Sequence, residues 1–208
     1  VSPARLGPIV ALAAALAIGV ALWATSGDDG DSSDGGASSS STTPAEVEVT
    51  SDAPRHATLA ELVAASDLVV RADVLRTEHG RVFGEPGSGA AIESRVVTLS
   101  ITRVLHDGGT GTGTAPGRRL LVEEEGWTAD GAPLVVDGLA PSSDGDEAIW
   151  FLTRVGEDEE ARYVVVGPQG RYRIAGGRLV GARGDDPLIA STSAMAPDAL
   201  EAAVQALP

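Results

Sequence analysis

The side chains that most often carry catalysis or hold metals are few in this chain and poorly spaced for either task. There are three histidines, His56, His79 and His106, and no cysteine. No two of these histidines fall at helical or hairpin spacing, so a zinc site would have to be assembled from distant loops. Exposed imidazoles and no metal are the expectation. A Ser-His-Asp triad needs its serine on a strained strand-to-helix elbow, and Gly87-Ser88-Gly89 lacks that context. Asp29-Gly30-Asp31-Ser32-Ser33-Asp34 fails as a calcium loop, with Asp34 where the turn requires glycine. Asp144-Gly145-Asp146-Glu147 would hold calcium weakly at best, and Asp and Gly account for it as a turn. The glycine-rich run 108–113 has the look of a phosphate cradle. It is followed by Ala115-Pro116-Gly117-Arg118 and a strand, however, where a cradle requires a helix N-terminus. Of Glu123, Glu124 and Glu125, two must share a strand face. With no opposing acidic pair they read as an edge strand blunted by charge, not as glycosidase carboxylates. No catalytic residue, metal or cofactor is therefore assigned.

One constellation remains for binding: Arg171, Tyr172, Arg173 and Arg178. Alternation places Arg171 and Arg173 on one strand face and Tyr172 on the other. On a small barrel, such an Arg-rich strand could bind a glycan or a protein loop at an exposed surface. The competing account is cross-strand pairing of these arginines with glutamates inside an acidic domain.

Several elements must position these residues. Thr58-Leu59-Ala60-Glu61 is a capping box opening a short helix over 59–65. Asp67 to Arg76 alternates, with Leu68, Val70, Ala72 and Val74 on one face, as a half-buried strand does. Arg95 to Leu105 alternates likewise, Arg119 to Glu124 forms a third strand, and Glu147 to Val155 is apolar on both faces, as in a central strand. A charged turn at Gly156 to Glu160 returns into Arg162 to Val166. Gly176-Gly177 between Arg171–Ile174 and Arg178–Val180 signals a two-residue hairpin. After Gly184 the chain reads as a loop, and Pro197 opens a terminal helix with Leu200, Val204 and Leu207 on one stripe. These elements predict a mainly β domain over 56–183, a small closed or half-closed barrel, with 184–208 as a C-terminal loop and helix.

Ahead of the barrel, residues 25–55 are rich in Ser, Gly and Asp, with Val47 and Val49 almost their only apolar side chains, and read as a disordered spacer. Residues 6–24 are uncharged and nearly all apolar, and at helical rise span roughly 28 Å, close to the thickness of bilayer hydrocarbon. Residues 1–24 are thus expected to form a single-pass anchor. Arg5 before the run and acids after it put the N-terminus in the cytoplasm and the C-terminal domain outside. Cleavage as a signal peptide near Ala24 would instead release a secreted domain. The net charge is −15, which disfavours nucleic acid as a partner. All fifteen basic residues are arginine, a bias expected of a GC-rich bacterial genome such as an actinobacterial one.

Three segments, Ser66 to Val74, Gly145 to Leu152 and Gln169 to Tyr172, resemble those of a group of uncharacterised exported bacterial proteins. In that group an SDLVV strand precedes a Gly-Asp/Glu strand ending in Phe-Leu and a Gln-Gly-Arg/Lys-Tyr/Phe hairpin; Ala72 stands here where the first strand tends to carry glycine. The resemblance implies an OB-fold or netrin-like barrel and no particular activity. The expected function is a membrane-tethered extracytoplasmic domain that binds an envelope protein or glycan without catalysis. Two alternatives are a secreted hydrolase with a dispersed site, and an accessory subunit of an envelope complex using the Ala13, Ala17 and Ala21 stripe of its anchor.

Overall fold

A computed structural model describes residues 45–85, 91–109, 114–156 and 162–208. The anchor, most of the spacer, the Gly87-Ser88-Gly89 loop, part of the 108–113 run and the charged turn after Gly156 lie outside the described residues. No helix among those described is long and apolar enough to cross a membrane.

The order is β1 (Val47–Val49), α1 (Leu59–Ala64), β2 (Leu68–Phe83), β3 (Ile92–Asp107), β4 (Arg119–Thr128), β5 (Leu134–Val136), β6 (Glu147–Val155), β7 (Arg162–Val165), β8 (Arg171–Ala175), β9 (Arg178–Val180), α2 (Pro187–Ser193) and α3 (Pro197–Gln205). The main sheet runs β2-β3-β4-β7-β6-β8-β9, and β6 pairs with β2 as well. Strands β2, β3, β4, β7 and β6 therefore form a ring of five. Within the ring β4 and β7 are parallel, meeting at Val122 and Tyr163, and the other neighbours are antiparallel.

The period-two pattern of β2 and β6 explains why the core has two compartments. Leu68, Val70, Ala72 and Val74 of β2 point into the ring beside Val97, Leu99, Val122, Trp150 and Leu152. The alternate residues Val69, Ile149 and Phe151 point outward, where Leu62, Tyr172, Ile189, Leu200 and Val204 cover them. β6 is apolar on both faces because one face fills the ring and the other carries the helices. At α1, the Glu61 N–H donates to Thr58 Oγ1 and the Ala57 N–H donates to Glu61 Oε2. Gly176 and Gly177, at φ +57° and +75°, make the tight turn between β8 and β9.

Three features depart from the sequence reading. The folded region reaches back into the expected spacer, since β1 pairs in parallel with β5. Asp186 caps a helix, α2, where a loop was expected: its Oδ1 accepts from the Leu188 and Ile189 N–H groups. The glutamate strand β4 is not a charged edge, because β3 and β7 flank it and Glu123 is buried.

Candidate functional site

The inward face of β2, β3 and β4 changes character along its length. Near the ring centre it carries Val97, Leu99 and Val122. One step further it carries Arg95, which sits opposite His79 on β2 and Glu124 on β4. Beyond these, Trp127 stands opposite Glu93, because Gly126 is an extra residue that shifts the register. A Cβ at Gly126 would lie 2.7 Å from Glu93 O and 2.9 Å from Arg95 N, so only glycine lets β4 approach closely enough to deliver the indole.

At this mouth the charges are buried. The side chains of Arg171 and Glu124 are 7% and 8% exposed and form an ion pair. Arg171 also donates to Ser142 Oγ and Ala140 O, while Ser142 donates its hydroxyl to Glu124 Oε1 at 2.9 Å. The Arg171 guanidinium lies 5.3 Å from the Trp150 ring centroid. That leaves Arg95, 5% exposed, whose side chain makes one hydrogen bond among the described residues, from Nη1 to Ser142 O at 3.4 Å. Its guanidinium lies 4.5 Å from the centroid of the Trp127 ring. Burial draws Arg95 below the ordinary guanidinium range; Glu124 opposes this and the neighbouring Arg171 adds to it. The imidazole of His79 stacks on Trp127 at 4.0 Å and 12°, and its Nδ1 lies 2.9 Å from Glu93 Oε2. Two guanidiniums thus lie beside Glu124 beneath a stacked aromatic pair, with Glu93 turned toward His79. Such an arrangement can hold an anion or a planar ring. It presents no activated nucleophile.

The residues expected to form an exposed Arg-rich surface are dispersed. Arg171 and Tyr172 are buried, Arg173 is half-exposed 3.6 Å from Asp146 Oδ1, and Arg178 is exposed on β9. Register explains the split. Arg171 faces Trp150 and the ring mouth, whereas Tyr172 faces Ile149 and packs edge-on against Phe151. Burial pushes the Tyr172 hydroxyl up to about 12. The glutamate pairing weighed against a binding strand is what Arg171 makes. Sequence reasoning missed Arg95 and Trp127, whose only signal was an arginine opening an apolar strand and a Gly-Trp step closing an acidic one.

A second polar cluster lies in a cleft of about 230 Å³ where the chain leading into α1 crosses β5 and α2. Asp137, at φ +51°, accepts from the N–H and hydroxyl of Ser51. Asp186 accepts from Gln169 Nε2, and Gln169 exchanges hydrogen bonds with the backbone of His56. Arg55 lies 3.5 Å from Asp137 and 3.4 Å from Asp186. These groups satisfy one another and clasp the strap formed by residues 47–56. Of the turn at Asp144 to Glu147, Asp144 accepts from Thr77, Asp146 from the Ser143 N–H, and Glu147 from Arg71. Among the described residues no group of three or more His, Asp or Glu side chains could hold a metal ion. The chain matches no protein-family model and no curated protein.

Proposed function

We propose that the protein is a membrane-tethered extracytoplasmic binding domain that holds a ligand at the mouth of its ring without transforming it. The arrangement carrying this reading is Arg95 against Trp127, with His79 stacked on the same indole. A buried guanidinium with unused donors beside an aromatic face is costly to maintain for stability alone.

The strand order supports an OB-like, half-closed barrel, of the kind implied by the resemblance to exported bacterial proteins. Its five ring strands follow a Greek-key path with one parallel contact, β4 to β7. Arg95 and Trp127 sit on the second and third of those strands, the pair through which OB barrels bind oligosaccharides and oligonucleotides. Nucleic acid is disfavoured by the net charge of −15, which leaves an envelope glycan or protein as the partner. The apolar run at 6–24 supports the anchor, with the domain outside the cell.

Affinity capture with the full-length protein on intact cells tests the reading. An envelope component enriched by the wild type should be lost with Arg95→Gln, folded as judged by circular dichroism. Equal capture by both proteins, or none by either, would overturn it. Protease added outside whole cells should cut the domain while cytoplasmic markers survive.

A further inference from the structure

We propose that the ring mouth recognises an acidic sugar, a carboxylate carried on a pyranose ring, with Arg95 reading the carboxylate and Trp127 the ring. This rests on the binding function proposed above and names its ligand class.

Charge comes first. Arg95 and Arg171 are both buried beside Glu124, which pairs with Arg171, so among the described residues Arg95 has no ion pair of its own. Glu93, two residues along β3 from Arg95, is turned toward His79 Nδ1 and makes no hydrogen bond to Arg95. A carboxylate brought beside Arg95 would supply that pair, and a buried charge without one is the expensive case.

Hydrogen bonding follows. Arg171 spends its donors on Glu124, Ser142 and Ala140. Among the described residues Arg95 spends one, at 3.4 Å, on Ser142 O. An arginine edge with two free parallel N–H groups matches a carboxylate in bidentate geometry. Trp150 Nε1 and Tyr163 Oη, both buried and without partners among the described residues, add unused hydrogen-bonding capacity to the interior of the same ring.

The ring surface decides between a bare anion and an acidic sugar. Trp127 is half-buried, and the partner stacked on it, His79, has a side chain 67% exposed. An imidazole so weakly enclosed can swing aside, and the place it vacates is a flat apolar face of the indole that the Arg95 guanidinium also contacts. Sugar rings lay their C–H face on such an indole. Carboxylate and ring are then read together by two side chains on neighbouring strands.

Full-length protein in detergent micelles would be titrated by calorimetry with a glucuronate-containing disaccharide, its neutral glucose counterpart, acetate and inorganic phosphate. The acidic disaccharide should bind at least tenfold tighter than each of the others, and more weakly as salt is raised. Arg95→Gln and Trp127→Ala should each lose tenfold or more in affinity. Arg173→Ala and Arg178→Ala, which remove exposed charges outside the mouth, should change it less than twofold. His79→Ala, which uncovers the indole face, is expected to tighten binding. Equal binding of acidic and neutral disaccharides, phosphate or acetate binding as tightly as the acidic disaccharide, or no binding by any probe to folded protein would each overturn the proposal. If the disaccharide fails while Arg95-dependent capture from cells persists, the ligand class falls and the binding function stands. If both fail, so does the binding function.

Discussion

At the scale of single residues, the site and the fold compete for the same charges. Glu124 pairs with Arg171 and stands opposite Arg95, so Glu124→Gln would leave two buried guanidiniums facing a neutral amide. The expected loss is about 3–5 kcal/mol of unfolding free energy, read from the urea midpoint, because the remaining charges stay buried and unpaired. Glu123 on the opposite face behaves differently. Burial pulls its carboxyl upward, but hydrogen bonds from Arg81 and Ser94, with the Arg81 charge, outweigh burial and hold it below the ordinary value of 4.5. A carboxylate depressed on folding adds stability that is present above its unfolded value and lost as pH falls through its folded one. The melting temperature should therefore drop on acidification below about pH 4.5, and Glu123→Gln should flatten that part of the profile. An unchanged acid limb in the variant would contradict this. None of this pairing was legible in the run Glu123-Glu124-Glu125, because the partners Arg81 and Arg171 lie 42 and 47 residues away in sequence.

At the scale of elements, what the sequence displayed was periodicity wherever one face is buried. β2, β3 and β6 announced themselves through alternating or continuous apolar residues, and the β8–β9 hairpin through its glycine pair. The pattern gave out beyond Val74, where Leu75, Val82 and Phe83 are exposed and β2 continues only because β3 pairs with it. Neither β1 nor α2 is long enough to show a period. Both depend on tertiary partners, which is why the strap was taken for spacer and the helix for loop. Asp186 joins them, capping α2 and accepting from Gln169 and Arg55. Asp186→Ala should cost about 1–2 kcal/mol as a lost helix cap. Hydrogen exchange should quicken at residues 51–56 as well as in α2, since the Gln169 amide that holds the His56 backbone loses its anchor. Asp185→Ala, an exposed neighbour, is the control and should leave both unchanged. Faster exchange confined to α2 would mean that the strap is held independently of this clasp.

At the scale of the whole molecule, the ring is closed unevenly, and the mouth that carries Arg95 lies where closure is thinnest. β2 is paired along most of its length to β3, and over Leu68–Asp73 to β6 as well. β4 and β7, by contrast, meet in register at Val122 and Tyr163, and past that point β4 continues to Thr128 with no β7 partner among the described residues. The space beside the unpaired stretch is occupied by Arg171 and Ser142, bonded to Glu124. Side-chain hydrogen bonds thus replace the missing backbone ladder, and the charges the ligand would read are the same ones that hold the seam. Opening free energies should follow this asymmetry. Amides of Arg162–Val165 and Glu123–Trp127 should exchange through a low-energy local opening, while those of β2, β3 and β6 around Val70, Leu99 and Trp150 exchange only on global unfolding. A ligand that engages Arg95 should slow exchange at the seam more than in the rest of the ring, and Glu124→Gln should speed it there first. Uniform protection around all five strands, with or without the acidic disaccharide, would show that the mouth is as rigid as the core and that its polar cluster plays no part in closing the ring.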